Sequence, residues 1–158
     1  MGRSAGYIAL WCGVANGAEN ILLPEYYDGD EQALINQIIE NRKKGKKHHL
    51  IINAEGVGHS ASMAKRIEAA TGIETRATIL GHMQRGGSPC PYDRVLSTRL
   101  GSEAAQLILD KQYGYMVGMV NGKVKKIPLG ECAGKLKTVD PNAQEVLQAK
   151  RMGISFGD

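Results

Sequence analysis

The sequence predicts an α/β protein with a mainly parallel sheet that is covered by helices on both faces. Segments with apolar residues at helical spacing alternate with short apolar runs, which is the pattern of βαβ units. The runs are continuously apolar, as expected for strands that are buried on both sides. With 158 residues, 42% of them apolar and 23% charged, the chain suits a single α/β domain over residues 1–158.

The first half of the chain contains three predicted helix–strand pairs. Asp30 is a typical N-cap and Gly45 a typical stop for the second helix, and a proline at position 24 ends the first strand. The predicted elements are, in order, a helix over 7–15, a strand over 21–24, a helix from 30 to about 44, a strand over 49–54, a helix from 60 to about 70 and a strand over 75–80.

The second half begins with a polar, glycine-rich loop over 81–88 and a long helix over 91–111. Two β-like segments, 115–120 and 123–127, then flank Asn121-Gly122, which is the strongest short-range signal for a hairpin. A last helix is predicted from Pro141 to about Met152.

Charge and composition narrow the function classes. The net charge is +4, and much of the excess lies in the basic run 42–49, which indicates an anionic partner or a solvated face. One Trp and one Phe are few for stacking on nucleic-acid bases, so we expect no nucleic-acid partner. Three distant cysteines favour free thiols, and no signal peptide or membrane-spanning run is seen, so we expect a cytoplasmic protein without a membrane partner.

Polar segments follow the predicted strands at 24–25, 53–56 and 81–88, where ligands bind in α/β sheets. His82 and Arg85 are three residues apart and precede Gly86-Gly87, a combination that suits a phosphate group. Glu55 can accept hydrogen bonds from hydroxyl groups, so the pattern suits a phosphorylated polyol. A solvated histidine, a simple glycine turn and a solvated basic face stay open as alternatives.

Several motifs stand out along the chain: Met1-Gly2-Arg3, Gly17-Ala18-Glu19, Lys44-Gly45-Lys46-Lys47-His48, Ala54-Glu55-Gly56, Glu74-Thr75-Arg76-Ala77-Thr78, Leu80 to Pro89 and Tyr92-Asp93-Arg94. Together they resemble the bacterial phosphofructokinase family. Their order and spacing match over nearly the whole chain, and the resemblance is to the C-terminal half of that enzyme. It implies a Rossmann-like three-layer sandwich and an N-terminal ATP-binding half that is absent here.

The resemblance implies phosphoryl transfer from ATP-Mg to the 1-hydroxyl of fructose 6-phosphate, a step of glycolysis. His82 and Arg76 would hold the 6-phosphate, and Glu55 would accept from sugar hydroxyls. The counterpart of Arg76 reaches into a neighbouring subunit's site, which implies a homo-oligomer, typically a tetramer. The substrate-binding residues implied are Met1, Gly2, Arg3, Glu55, Arg76, His82, Met83, Gln84 and Arg85.

The resemblance also implies an allosteric site between subunits for ADP or a phosphoenolpyruvate-type effector. The backbone carbonyl of Gly17 would help to hold the effector's magnesium ion. The implied effector residues are Gly17, Ala18, Glu19, Lys44, Lys46, Lys47 and His48.

Two parts of the family pattern are missing. The sequence has neither the Gly-Gly-Asp-Gly nucleotide loop nor the Thr-Ile-Asp-Asn-Asp segment with the catalytic base, so no catalytic residue is assigned. The magnesium of ATP would be bound mainly by the absent half. We therefore expect an excised domain, a truncated product or one piece of a split enzyme that is inactive alone. A pyrophosphate-dependent relative and a non-catalytic sugar-phosphate sensor are the alternatives.

Overall fold

The computed structural model describes residues 1–157, and the chain packs as two compact units. The first unit comprises Met1–Gln84 with Leu136–Asp158, and the second comprises Arg85–Lys135. The prediction of a single domain over residues 1–158 stays a prediction.

The first unit is built around two short parallel strands. Its elements are α1 (Tyr7–Ala15), β1 (Asn20–Leu22), α2 (Glu31–Lys43), β2 (Ile51–Asn53), α3 (Ser60–Thr71) and α6 (Gln144–Arg151). β1 pairs with β2 in register from Asn20 opposite Ile51 to Leu22 opposite Asn53. On its other edge β1 meets Ser155, whose carbonyl accepts from Ile21 N at 2.9 Å, so β1 is central.

Helices cover both faces of this pair. Ile21 and Leu23 belong to a buried cluster with Leu10 of α1 and Val146 of α6. Leu22, which points to the opposite face, belongs to a second cluster that is formed mainly by α2 and α3. The predicted α/β class, with a covered parallel sheet and helices on both faces, is therefore confirmed.

Local signals in the sequence set the ends of the helices. The Asp30 side chain accepts from Gln32 N at 2.8 Å and caps α2. Gly72 ends α3 in the left-handed region, with φ of +67°. Across the two helices Arg66 donates to Glu31, with Nε 2.7 Å from Oε2. That hydrogen bond holds the pKa of Glu31 below its ordinary value.

The second unit contains one long helix and a hairpin: α4 (Pro91–Leu109), β3 (Tyr115–Val120), β4 (Lys123–Pro128) and the short α5 (Leu129–Cys132). Asn121 and Gly122 have φ of +49° and +74°, so the hairpin predicted at this dipeptide is confirmed. Cys90 N donates to the Asp93 carboxylate at 2.9 Å at the start of α4. Within Arg85–Lys135 the only buried residue is Leu107, so this unit has little core of its own.

The predicted strand over 75–80 is wrong. These residues have no regular secondary structure, and Ile79 and Leu80 are exposed. A strand needs a partner that accepts its backbone hydrogen bonds, and none of residues 1–157 pairs with this segment. The last helix begins at Gln144 instead of Pro141, because Asp140 forms a turn in which it accepts from Asn142 N.

No helix of the described residues is long and apolar enough to cross a bilayer.

Candidate functional site

Predicted site residues gather at both ends of the β1–β2 pair. Beyond the carboxyl end of β2, the backbone of residues 1–3 lies along residues 54–56. Glu55 N donates to Met1 O at 3.0 Å, and Gly56 N donates to Gly2 O at 2.9 Å. We call Met1, Gly2, Arg3, Glu55 and Gln84 the substrate cluster.

Gly56 allows the two segments of the substrate cluster to approach closely. A Cβ at this position would lie 2.0 Å from the carbonyl oxygen of Arg3 and 2.9 Å from a side-chain atom of Pro24. No larger residue fits without movement of the backbone. The glycine thus fixes the distance between Arg3 and the loop that carries Glu55.

Arg3 and Glu55 form the charged part of the substrate cluster. The Glu55 Oε1 atom accepts from Nε and Nη2 of Arg3 at 3.3 and 3.2 Å. The side chains are 84% and 48% exposed, so the pair is worth little free energy. A ligand can therefore replace this contact. Its hydroxyl groups can donate to Glu55, and its hydroxyl or phosphate oxygens can accept from Arg3.

Gln84 joins the substrate cluster from the 3₁₀ turn Gly81–Arg85. Its Oε1 atom accepts from the amino group of Met1 at 2.8 Å. The turn lies within the loop that the sequence predicted over 81–88. It brings the His-Met-Gln motif to the segment that carries Met1.

Arg76, His82 and Met83 are not joined to Glu55. Arg76 donates to Glu74 at 2.6 and 2.8 Å, and the two side chains are 85% and 69% exposed. His82 and Met83 are exposed on the 3₁₀ turn, and no hydrogen bond or ion pair within residues 1–157 links Arg76 or His82 to Glu55. Arg85 is an exposed residue at the start of the second unit.

Glu25, at the other polar strand end, has a structural role. Its carboxylate accepts from Gly6 N at 2.9 Å and from Val139 N at 3.0 Å. Glu25 therefore connects its own segment to those of Gly6 and Val139. Because its carboxylate is used in these contacts, we consider the substrate cluster as the ligand-binding group at this end of the strands.

The amino end of β1 and β2 carries the predicted effector residues. Glu19 is 8% exposed, and its Oε1 atom lies 2.6 Å from Nζ of Lys46. Its other carboxylate oxygen accepts from Leu50 N. We call Glu19, Lys46, Lys47 and His48 the basic cluster.

The Glu19 carboxylate is held in its charged form. Burial raises its pKa, but the Leu50 hydrogen bond and the Lys46 ammonium group outweigh burial, so its pKa lies below the ordinary 4.5. Both carboxylate oxygens of Glu19 are used, one by Lys46 and one by Leu50 N. Glu19 therefore positions the Lys46 side chain. Lys46, Lys47 and His48 also line a small cavity of about 30 Å³.

The remaining predicted effector residues surround the basic cluster. Lys44 is the C-cap of α2, where a cation suits the helix dipole. Ala18 is 2% exposed and belongs to the core. Gly17 is exposed with φ of +65°, and a Cβ there would meet no atom within 4 Å, so the space beside it is open.

Sequence reasoning missed the contacts that hold this end together. His49 Nε2 lies 2.5 Å from Oδ1 of Asn20, and Asn20 Nδ2 donates to Gln37 Oε1 at 2.7 Å. Asn20 is completely buried. The sequence did contain one indication of these contacts: Asn20 directly precedes the apolar run 21–23. An amide that is buried beside such a run requires hydrogen-bond partners.

Within residues 1–157 no group of three or more His, Cys, Asp or Glu side chains is placed to hold a metal ion.

Comparisons with known proteins agree on one family. A family model described as Phosphofructokinase matches residues 1–108. ATP-dependent 6-phosphofructokinase 3 of Bacteroides thetaiotaomicron is 46% identical over 99% of this chain and 48% of its own length. ATP-dependent 6-phosphofructokinase of Bacillus subtilis is 47% identical over 92% of this chain and 46% of its own length. The chain thus spans about half the length of these relatives.

Solved structures are similar as well. The Pichia pastoris phosphofructokinase in the T-state is 28% identical, with a TM-score of 0.71 over 83% of this chain and 16% of that chain. The Saccharomyces cerevisiae phosphofructokinase is 34% identical, with a TM-score of 0.69 over 83% of this chain and 19% of that chain.

Proposed function

Because the chain belongs to the phosphofructokinase family, we propose that it is the fructose 6-phosphate-binding part of an ATP-dependent 6-phosphofructokinase. The complete enzyme would convert fructose 6-phosphate to fructose 1,6-bisphosphate in glycolysis. The names of the relatives support ATP over pyrophosphate as the phosphoryl donor. The observation that carries the proposal is the placement of Arg3 and Glu55 beside each other by paired backbone hydrogen bonds.

In this proposal the substrate cluster orients the sugar. Glu55 accepts hydrogen bonds from sugar hydroxyls, and Arg3 replaces its contact with Glu55 by one to the ligand. Met1 and Gly2 supply backbone groups beside Glu55, and Gln84 lies on the turn that carries His82.

The 6-phosphate would be bound by two exposed side chains, Arg76 on the irregular segment and His82 on the 3₁₀ turn. Arg76 is 85% exposed and pairs with Glu74. That exposure suits the family expectation that it reaches a neighbouring subunit in a homotetramer. Met83 and Arg85 would complete the sugar-phosphate contacts.

We also propose that the 158 residues are inactive as a kinase when alone. The sequence lacks the family's nucleotide loop and the aspartate that acts as base. ATP with magnesium would supply the transferable phosphoryl group. Positioning of both reactants is most of the catalysis in phosphoryl transfer.

The basic cluster is proposed to bind an anionic effector such as ADP or phosphoenolpyruvate. Lys46 and Lys47 supply positive charge, and His48 an imidazole ring, around one small cavity. The resemblance assigns the effector's magnesium ion to the backbone carbonyl of Gly17, which is an exposed residue. Lys44, Ala18 and Glu19 frame this region. A cytoplasmic location stays a prediction.

The proposal is tested by a chimera in which this chain replaces the matching half of the Bacteroides thetaiotaomicron relative. The chimera should form fructose 1,6-bisphosphate from ATP, while the 158 residues alone should not. Glu55→Gln should raise KM for fructose 6-phosphate, and Glu145→Gln, at an exposed position of α6, should leave it unchanged. A folded chimera without activity, or equal KM values in the two variants, would contradict the proposal.

A further inference from the structure

His49 stands at the amino end of β2, directly after the basic cluster, and the proposed function gives it no role. Its Nε2 atom lies 2.5 Å from Oδ1 of Asn20, which is completely buried. The Asn20 amide nitrogen donates to Gln37 at 2.7 Å, so the amide oxygen faces the ring. An amide oxygen only accepts, and Nε2 of His49 is therefore the donor.

This hydrogen bond is one of several contacts between Glu19-Asn20, at the start of β1, and residues 46–50, which precede β2. We call these contacts the clasp. Leu50 O accepts from Glu19 N at 3.0 Å and from Asn20 N at 3.3 Å, and Leu50 N donates to the Glu19 carboxylate. The same carboxylate holds Lys46 at 2.6 Å. The His49 ring and the Lys46 ammonium group are thus fixed by one short piece of backbone, Glu19-Asn20.

The charged groups that face His49 come from two sides. The Glu19 carboxylate lies on the β1 side, and Lys46 and His48 lie on the loop after α2; Arg42 lines the same cavity. Burial lowers the pKa of His49 from its ordinary 6.5, and the two cations lower it further against the opposing effect of Glu19. The ring is therefore neutral at pH 7, and Nδ1 is the atom that takes up a proton.

We propose that His49 is a proton-linked positioning residue of the basic cluster: it holds Glu19 and Lys46 in place through Asn20, and its protonation strengthens the binding of an anionic ligand. This inference rests on the proposed effector function. Nε2 donates to Asn20 in both protonation states, so the clasp persists as the pH falls. The added positive charge lies close to Lys46, and the two charges together attract an anion more strongly than Lys46 alone.

The coupling is reciprocal. If protonation of His49 favours anion binding, anion binding favours protonation by the same factor. Binding in the pH range where His49 titrates, below its ordinary 6.5, must then be accompanied by proton uptake, and a ligand-induced rise of about half a unit in the His49 pKa corresponds to at most about a threefold change in affinity.

The test is calorimetric titration of the 158-residue chain with ADP and magnesium from pH 5.5 to 8.0, in two buffers of different ionisation enthalpy. His49→Gln keeps an N–H donor but does not titrate. His59→Asn is the matched control, because His59 is exposed and has a φ of +52°, which asparagine tolerates. Protonation of ADP itself is common to all three proteins.

Wild type and His59→Asn should take up protons on binding below pH 6.5. Between pH 8.0 and 5.5 they should gain up to about threefold more affinity than His49→Gln, which should match them at pH 8.0. If wild type and His49→Gln bind ADP with the same dependence of affinity on pH, the proposed role of His49 is overturned. The effector site itself is not contradicted by that result. Absence of ADP binding to wild type at every pH would contradict the effector site and this inference with it.

A ligand-free measurement checks the clasp separately. Imidazole NMR should show the Nε2-protonated tautomer of His49 at pH 7 and a His49 pKa below the ordinary 6.5 of histidine. Glu19→Gln should lower the His49 pKa further, because it removes the opposing negative charge. A His49 pKa of 6.5 or above that does not respond to Glu19→Gln would overturn the inference whatever the ligand result.

Discussion

The carbonyl of Arg3 lies against Gly56 so closely that a Cβ at position 56 would be 2.0 Å from the Arg3 oxygen. This contact aligns the chain segment of Arg3 with the loop that carries Glu55, and the paired hydrogen bonds of residues 55 and 56 follow from it. The geometry of the substrate cluster therefore depends on a residue that contributes no side chain.

Gly56→Ala should displace the segment of residues 1–3 and destabilise the fold by about 1–3 kcal/mol, because the added methyl group meets backbone that cannot move freely. The measurement is urea unfolding followed by the fluorescence of Trp11, the single tryptophan. Gly130→Ala is the control, since a Cβ there meets no atom within 4 Å. Equal stability of the two variants would show that Arg3 is not held by this contact.

Glu19→Gln should cost about 1–3 kcal/mol at pH 7, because the Lys46 ammonium group loses its charged partner at a buried site. The pKa of Glu19 is lowered by folding, so its contribution is complete above pH 4.5 and disappears as the pH falls through and below that value. Urea unfolding at pH 7 and pH 3.5 should show the gap between wild type and variant closing at acid pH.

The control for this prediction is Glu74→Gln, which removes one partner of the exposed Arg76 pair. It should change the unfolding free energy by less than about 0.5 kcal/mol. A gap for Glu19→Gln that does not narrow between pH 7 and pH 3.5 would assign the loss to packing and not to charge.

Arg76→Ala and His82→Ala should each weaken fructose 6-phosphate binding in the assembled chimera by about 1.5–3 kcal/mol, the value of one charge-assisted hydrogen bond. The measurement is KM for fructose 6-phosphate together with kcat. Arg151→Ala, at an exposed position in the last turn of α6, is the control. Unchanged KM in both variants would remove these residues from the phosphate site.

Phe156→Ala should cost about 3–5 kcal/mol, because Phe156 is completely buried and packs edge-on against Tyr26 with ring centroids 6.3 Å apart. Leu147→Ala, at a position that is 40% exposed, should cost much less. The two variants are compared by urea unfolding. A small loss for Phe156→Ala would show that the 154–157 segment is not part of the core.

Elements whose ends or turns are set by residues close to them in the sequence could be predicted. Asp30 caps α2 and Asn121-Gly122 forms the hairpin turn because these effects act over two to four residues. The continuous apolar runs at 21–23 and 50–52 identified the covered parallel pair, and the family motifs named the residues of the substrate cluster.

Features that depend on distant partners could not be predicted in this way. The segment 75–80 has the composition of a strand but no partner among residues 1–157, and Ser155 occupies a strand position beside β1 without any strand pattern around it. The clasp of His49 on Asn20 joins residues 29 positions apart, and only the fold shows that they meet.

The most direct test of the central claim is calorimetric titration of the 158-residue chain with fructose 6-phosphate, with glucose 6-phosphate as the control ligand. The account predicts binding that is selective for fructose 6-phosphate and is weakened by Glu55→Gln but not by Glu145→Gln. Equal binding of the two sugars, or no binding of either, would contradict a substrate cluster that residues 1–3 and 54–56 form on their own.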